Sequence, residues 1–219
     1  MSGSGPDPDE LAVRGHVDPS LAEEFPGLYL RYLSIERGSG KSNPGLKRRL
    51  RLLSDRFAGA QAIAMRNRPI PWAYRVFFRH IGLDPDEQRT PVEALTLERM
   101  MKGGFVSQNL LDDALTVAIV ESGVALRAFD GDKVVGDLSI RPSMAGEGLE
   151  GRPGDLPHGT LVIADELRPV ALLFGATAAE RGVSPATVRT ILVAVGVAGV
   201  PEIAVEEALW LVADALAPE

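Results

Sequence analysis

The sequence has 219 residues, a length that suits one domain with a substantial core. Its hydrophobic content of 45 % and charged content of 24 % are typical of a soluble globular protein. The absence of cysteine excludes disulfides and thiolate chemistry, so a zinc site would need histidine and carboxylate ligands alone. There is no apolar run of about twenty residues and no secretory signal, so we predict a cytoplasmic protein without a membrane partner.

Charge is distributed unevenly along the chain. The formal net charge of −7 argues against a general nucleic-acid-binding protein. Residues 37–102 nevertheless contain 14 Lys and Arg against 6 Asp and Glu, so this region could contact a polyanion. The alternative is that its cations form only the solvated face of a helix. The candidate RNA-binding residues are Lys47, Arg48, Arg49 and Arg51.

The predicted domain organisation is a disordered tail followed by one globular domain. The tail, residues 1–15, begins with Ser, Gly, Pro and Asp, which cannot bury apolar surface. The domain, residues 16–219, shows no internal repeat and no linker to a second domain.

Short local signals predict the first elements of the domain. Asp18 and Pro19 form an N-cap and first-turn pair that begins a short helix, and residues 28–35 have the composition of a strand. Residues 38–44 are predicted to form a flexible connector. They include Gly-Ser-Gly-Lys-Ser, but Ile35 stands where a phosphate-binding loop needs its first glycine, so no nucleotide site is expected.

Three helices follow the connector. Leucine and phenylalanine at spacings of three and four residues predict one long amphipathic helix at 44–67. A second helix at 71–82 has Trp72 on its apolar surface and His80 near its C-terminus, where a structural role is expected for the imidazole. The third helix begins after Thr90, because threonine, proline and glutamate form a capping box there.

A helix and two strands occupy the centre of the sequence. Residues 107–122 have leucine, alanine and isoleucine at helical spacing, and Gly123 ends this helix. Residues 124–129 and 133–140 are β-prone and flank an Asp-Gly-Asp turn signal, so they are predicted to pair as strands. A polar-edged helix beside a sheet is where we expect a pocket.

The rest of the chain completes the predicted fold. A Gly- and Pro-rich loop around His158 either covers a pocket or only connects strands. It is followed by a hairpin of residues 160–164 and 169–174 and by a last helix at 201–217. Between them, the β-branched residues at 188–197 favour a buried strand, with a helix as the alternative. The fold class is therefore α/β, in the α+β sense, with a mixed, mostly antiparallel sheet wrapped by helices.

Several motifs follow one another in a specific order. They are Ala-Phe-Asp at 128–130, Gly-Asp-Leu-Ser-Ile-Arg-Pro at 136–142 and Leu-Val-Ile-Ala-Asp-Glu at 161–166. This order resembles the tRNA-editing domain of the phenylalanyl-tRNA synthetase beta subunit, over about residues 68–195. Ile-Pro-Trp-Ala-Tyr-Arg at 70–75 is more similar to free-standing, synthetase-related proteins that consist of this domain alone.

The resemblance implies a reaction that needs few catalytic groups. Domains of this kind hydrolyse the ester that joins a wrong amino acid to the terminal ribose of its tRNA. Because this ester is already activated, positioning a water and excluding the correct amino acid can suffice without a metal, a cofactor or a covalent intermediate. The implied partners are tRNA or aminoacyl-tRNA, with an amino acid as a possible ligand.

The resemblance also places the site on the central helix and the strand after it. The family's Val-Asp-x-Thr-Asn segment falls on residues 112–116, where its aspartate is kept but its threonine and asparagine become leucine and threonine. An arginine stands at the position of the pocket histidine, and the family's Trp-Asn-Trp-Arg segment is absent. The implied substrate-binding residues are Asn109, Asp113, Thr116, Arg127 and Glu180.

Two functions remain open at this point. As a permanent cation, Arg127 could bind a ribose-phosphate or a carboxylate, or it could pair with Asp113 or Asp130 of the protein itself. Asn109 and Asp113 could likewise be helix caps. The first hypothesis is an aminoacyl-tRNA deacylase or aminoacyl-tRNA-binding protein. The second is a non-catalytic module of the same fold that binds an amino acid, a small carboxylate or a protein. Scattered histidines and diverging carboxylates do not favour a metal hydrolase.

Overall fold

Seven helices and eight strands lie within the part of the chain that the computed structural model describes, residues 12–56 and 60–217, with the backbone alone at 60–62, 99 and 100. The helices are α1 Pro19–Glu24, α2 Pro44–Arg56, α3 Ala60–Met65, α4 Pro69–His80, α5 Pro91–Lys102, α6 Leu110–Ser122 and α7 Glu202–Leu216. The strands are β1 Val13–Arg14, β2 His16–Val17, β3 Tyr29–Ile35, β4 Ala125–Asp130, β5 Ser139–Pro142, β6 Leu161–Ala164, β7 Pro169–Leu172 and β8 Thr190–Gly196.

The strands form two sheets of four. The first sheet has the order β1-β3-β8-β4 and is antiparallel throughout. The second has the order β2-β5-β6-β7, in which only the pair of β2 and β5 is parallel. The predicted mixed, mostly antiparallel α+β class is confirmed, although its strands are divided between two sheets.

The predicted pairing of residues 124–129 with 133–140 is wrong. Strand β4 pairs with β8 in the first sheet, whereas β5 lies in the second sheet between β2 and β6. The turn between them is a single 3-10 turn, Gly131–Lys133, which the Asp130 side chain caps. Asp130 also accepts a hydrogen bond from Thr187 at 2.6 Å, so this turn directs the chain out of the first sheet.

The N-terminal prediction is partly wrong as well. Residues 1–11 of the predicted disordered tail lie outside the described residues. Val13–Arg14, however, forms β1 and pairs with Arg31 and Tyr32 of β3, while Ala12 is buried. The backbone hydrogen bonds of β3 extend the sheet to this segment.

Helix α6 lies in the centre of the packing; it ends at Gly123 as predicted, but it begins at Leu110, three residues after the predicted start at 107. Asn109 is its N-cap and accepts a hydrogen bond from the backbone of Asp112 at 2.9 Å. Gly123 follows the last turn with φ of 79°, a conformation that glycine adopts without steric cost. Eight side chains of α6 are buried, and the helix packs against α2, α5, α7 and β4.

The helix predicted at 44–67 corresponds to α2 and α3, between which residues 57–59 lie outside the described part. One prediction about the next helix needs correction. Trp72 was predicted on the apolar surface of its helix, but 45 % of its surface is exposed. Within the described ranges, no helix is both long enough and apolar enough to cross a membrane.

Candidate functional site

Asp113 is buried in a hydrogen-bonded network. Its Oδ2 accepts hydrogen bonds from the hydroxyls of Ser42 at 2.5 Å and Ser107 at 2.6 Å, and its Oδ1 accepts one from the backbone of Gln108 at 2.8 Å. Only 2 % of the residue is exposed. The carboxylate thus joins the 38–44 connector to the start of α6, and Asn109 caps the same helix end.

The segment after β7 lies alongside β4. The backbone N–H of Asp130 donates to the carbonyl of Arg181 at 2.9 Å, which brings Glu180 beside the end of β4. Glu180 is exposed, whereas Thr116, on α6, is half-buried. The structure therefore places these two residues on separate elements that both adjoin β4.

Arg127 extends from β4 in the first sheet to the end of β7 in the second. Its Nη1 donates to the carbonyl of Leu172 at 2.9 Å, and its Nη2 donates to the carbonyl of Gly175 at 3.0 Å. Its guanidinium lies 6.0 Å from the ring centroid of Phe129. Burial lowers the pKa of Arg127 from 12.5 to about 10, because loss of water contacts disfavours the charged form.

A cavity of about 720 Å³ opens beside the two carbonyl groups that Arg127 binds. It lies between α1, the end of α4 and the β6–β7 hairpin, and Leu172 and Gly175 are among its lining residues. Its volume is in the range of small-molecule sites. Thr116, Arg127 and Glu180 do not line it. Its apolar wall includes Leu21, Phe25, Leu83, Leu161, Leu173 and Phe174.

Two of the three histidines, His80 and His158, line this cavity together. Ser20, Glu24 and Thr160 supply further polar groups. No sequence signal connects these residues, because the cavity assembles segments that lie far apart along the chain. The only indication was the loop around His158, for which covering a pocket was one of two alternatives.

The basic residues of α2 face outward. Arg48 and Arg51 are exposed and Lys47 is half-buried, while Arg49 forms a two-point ion pair with Glu121 of α6, with Nε and Oε1 3.0 Å apart. Glu121 also lines a second cavity, of about 590 Å³, together with Arg56 and Arg68. This surface therefore continues from α2 to the start of α4.

In the described segments, no three histidine, aspartate or glutamate side chains lie close enough together to hold a metal ion.

Comparison with known proteins agrees with this architecture. The sequence model of the B3/4 domain family matches residues 73–207, which extend from α4 into α7. Phenylalanine–tRNA ligase beta subunits are similar over a shorter stretch. The one from Xanthomonas oryzae pv. oryzae is 39 % identical over 94 residues, 42 % of this chain and 12 % of that protein. Those from Legionella pneumophila (Lens) and Shewanella oneidensis are 34 % and 36 % identical over 89 and 78 residues, 39 % and 34 % of this chain.

The matched stretches cover only 12 %, 11 % and 10 % of these three beta subunits. The family model, in contrast, covers well over half of this chain and includes both α6 and β4. The chain therefore belongs to the B3/4 domain family.

Proposed function

We propose that this protein binds the aminoacylated 3′ end of a tRNA and hydrolyses the ester of a mischarged tRNA. The observation that carries the proposal is the match to the B3/4 domain over residues 73–207, shared with beta subunits of a tRNA ligase. Charged tRNA is a cytoplasmic substrate, so the proposal places the protein in the cytoplasm.

The cavity beside Leu172 and Gly175 is our candidate for the aminoacyl pocket. Its size suits an amino acid side chain, and its apolar wall and polar rim suit a ligand with both characters. The ester is activated, so catalysis requires a positioned water more than a strong nucleophile. Of the side chains at the cavity, those of His80, His158 and Glu24 can accept a proton from this water.

Arg127 acts as a positioning residue in this proposal. It binds the carbonyls of Leu172 and Gly175, which belong to the wall of the cavity, and so fixes the turn that follows β7. Thr116 and Glu180 lie on two segments that adjoin β4, and they remain candidates for contacts with the ribose or the amino acid.

The tRNA body is proposed to contact α2. Arg48 and Arg51 are exposed there, and among the described residues neither forms an ion pair, so both can meet phosphates. Lys47 and Arg49 lie on the same helix, although Arg49 is already paired with Glu121.

Deacylation assays with purified protein test the proposal. A panel of tRNAs charged with correct and incorrect amino acids is incubated with the wild type and with His80→Ala, His158→Ala and His16→Ala. We expect hydrolysis of at least one mischarged tRNA, reduced about a hundredfold in one of the two cavity variants. His16 lies on β2 outside the cavity lining, so its variant should react like the wild type. No hydrolysis of any substrate above background contradicts the enzymatic proposal.

A second candidate function is a non-catalytic module that binds an amino acid or a small carboxylate. It is favoured by Arg127, whose guanidinium is already bound to two carbonyls and, as a permanent cation, cannot accept a proton from water. Calorimetric titration with free amino acids distinguishes the two functions. Saturable binding without deacylation supports the module, whereas deacylation supports the enzyme.

A further inference from the structure

Trp72 is exposed on α4 with an arginine over its ring. Of its surface, 45 % is accessible, and the Arg79 guanidinium carbon lies 5.5 Å from the ring centroid. Residues 72 and 79 are seven positions apart, two helical turns, so both side chains project from one face of α4. An accessible indole beside a guanidinium matches the elements with which proteins hold unpaired nucleobases and their phosphates.

The charge around this face is positive. Arg68, at the start of α4, is exposed and lies one turn before Trp72. Asp86, which follows α4 in the chain, is shared by Arg75 at 2.8 Å and by Arg66 at 3.6 Å. Its charge is thus offset within the protein, and the exposed face formed by Arg68, Trp72 and Arg79 presents two arginines.

This face is connected to the basic surface of α2. Arg68 lines the cavity of about 590 Å³ together with Glu121, and Glu121 is the partner of Arg49 on α2. A nucleic acid that passes from α2 to Trp72 would thus meet Arg56 and Arg68 at this cavity, together with the carboxylates of Asp55 and of Glu121, the latter paired with Arg49.

We propose that Trp72 stacks on an unpaired nucleobase at the 3′ end of the tRNA, with Arg79 and Arg68 meeting the adjoining phosphates. The inference rests on the proposed function and adds to it the part of the RNA that α4 recognises. Nucleobases are favoured over a protein ligand because the exposed indole has an arginine over its ring, and this pairing of an aromatic face with a cation suits a base and its phosphate.

Tryptophan fluorescence tests the proposal directly, because the sequence contains only two tryptophans, Trp72 and Trp210. In a Trp210→Phe background, Trp72 is the single reporter. We expect titration with the trinucleotide CCA to quench its emission, and the 3′ end of uncharged tRNA to do the same. Circular dichroism of the background variant verifies that α7 tolerates the substitution.

Binding of uncharged tRNA by Trp72 variants supplies the second measurement. We expect Trp72→Ala to bind about tenfold more weakly, and Trp72→Phe to bind nearly as well as the wild type, because phenylalanine keeps a stacking surface. Arg79→Ala should also weaken binding, while Arg152→Ala, an exposed arginine in the loop before β6, should not.

The outcomes separate this inference from the proposed function. Undiminished tRNA affinity of Trp72→Ala, or no quenching by CCA, overturns stacking at Trp72 even if the protein still binds and deacylates tRNA. Absence of tRNA binding by the wild type overturns both. Equal weakening by Trp72→Ala and Trp72→Phe also contradicts stacking, since a role for the aromatic face predicts that phenylalanine restores binding.

Discussion

Asp113 shows how a single residue can be placed in a site by resemblance and yet have a second role in the fold. Three donors from the connector and from the start of α6 converge on its carboxylate. A buried carboxylate with three donors is stable only as an acceptor, because each donor would otherwise lose its partner.

Replacing Asp113 with asparagine should therefore lower the free energy of unfolding by about 2 kcal/mol, because an amide N–H₂ would face hydroxyl and backbone donors. Urea denaturation measures the change. Asp214→Asn, an exposed aspartate on α7, is the matched control and should change stability by less than about 0.5 kcal/mol. A loss no larger than that of the control would show that the network contributes little.

At Arg127 the cost of burying the charge and the gain from two hydrogen bonds to carbonyls are of similar size and oppose each other. The lowered pKa, about 10 against 12.5, corresponds to an unfavourable burial of charge of about 3 kcal/mol at neutral pH. The two carbonyls that it binds would each lose roughly 1–2 kcal/mol without a donor.

Arg127→Met should consequently change stability by less than about 1 kcal/mol. Arg127→Lys should be the more destabilising of the two, since it keeps a buried cation but cannot donate to both carbonyls as a planar guanidinium does. Thermal and urea unfolding of both variants establish the order. The reverse order would mean that the carbonyl bonds dominate over desolvation.

At the scale of the elements, local signals were sufficient where a cap or a turn decides the structure. Gly123 ends α6 as predicted, and the β6–β7 hairpin is confirmed. Asn109 caps α6, which was one of the two alternatives for this residue. The pairing of β4 could not be predicted in this way, because its partner β8 is sixty residues away in the sequence. The cavity could not be predicted from local sequence either, because only tertiary packing brings His80 and His158 to the same cavity.

Two glycines that follow helices provide a matched test of packing at the end of α6. Gly123 has φ of 79°, and a Cβ there would lie 2.9 Å from Cδ of Pro71. Gly103, after α5, has φ of 72° but nothing within 4 Å of a Cβ. Gly103→Ala should cost about 1 kcal/mol from backbone strain alone. Gly123→Ala should cost about 1–2 kcal/mol more.

Denaturant titration of the two alanine variants gives this difference. Equal losses would show that Pro71 moves away without cost, and that the contact between α4 and the end of α6 is not tightly packed.

At the scale of the whole molecule, the three tyrosines link stability to alkaline pH. Burial raises the pKa of Tyr29 and of Tyr32 to about 12, and burial also raises the pKa of Tyr74, whose hydroxyl donates to the carbonyl of Val195 at 2.5 Å. A raised phenol pKa stabilises the folded protein fully below pH 10, and this contribution is lost between pH 10 and about 12. Arg127 has the opposite effect on the free energy of unfolding above pH 10, because burial lowers its folded pKa to about 10. As the folded protein loses this proton, the cost of burying the charge is relieved.

With three tyrosines against one arginine, unfolding free energy should fall steeply from pH 10 to 12. Absorbance at 295 nm should show tyrosinate forming together with unfolding. Tyr74→Phe should reduce the slope of stability against pH in this window. A slope of zero, or tyrosinate formation at pH 10 in a folded protein, would contradict the burial of these hydroxyls.

Binding of a tRNA that carries its amino acid through a non-hydrolysable amide tests the central claim most directly. The comparison is with the same tRNA uncharged, at one salt concentration, because phosphate contacts contribute equally to both. Recognition of the aminoacylated end predicts that the charged analogue binds at least tenfold more tightly, and that crowding the cavity by Thr160→Trp abolishes this difference while uncharged tRNA still binds. Equal affinity for charged and uncharged tRNA would contradict it.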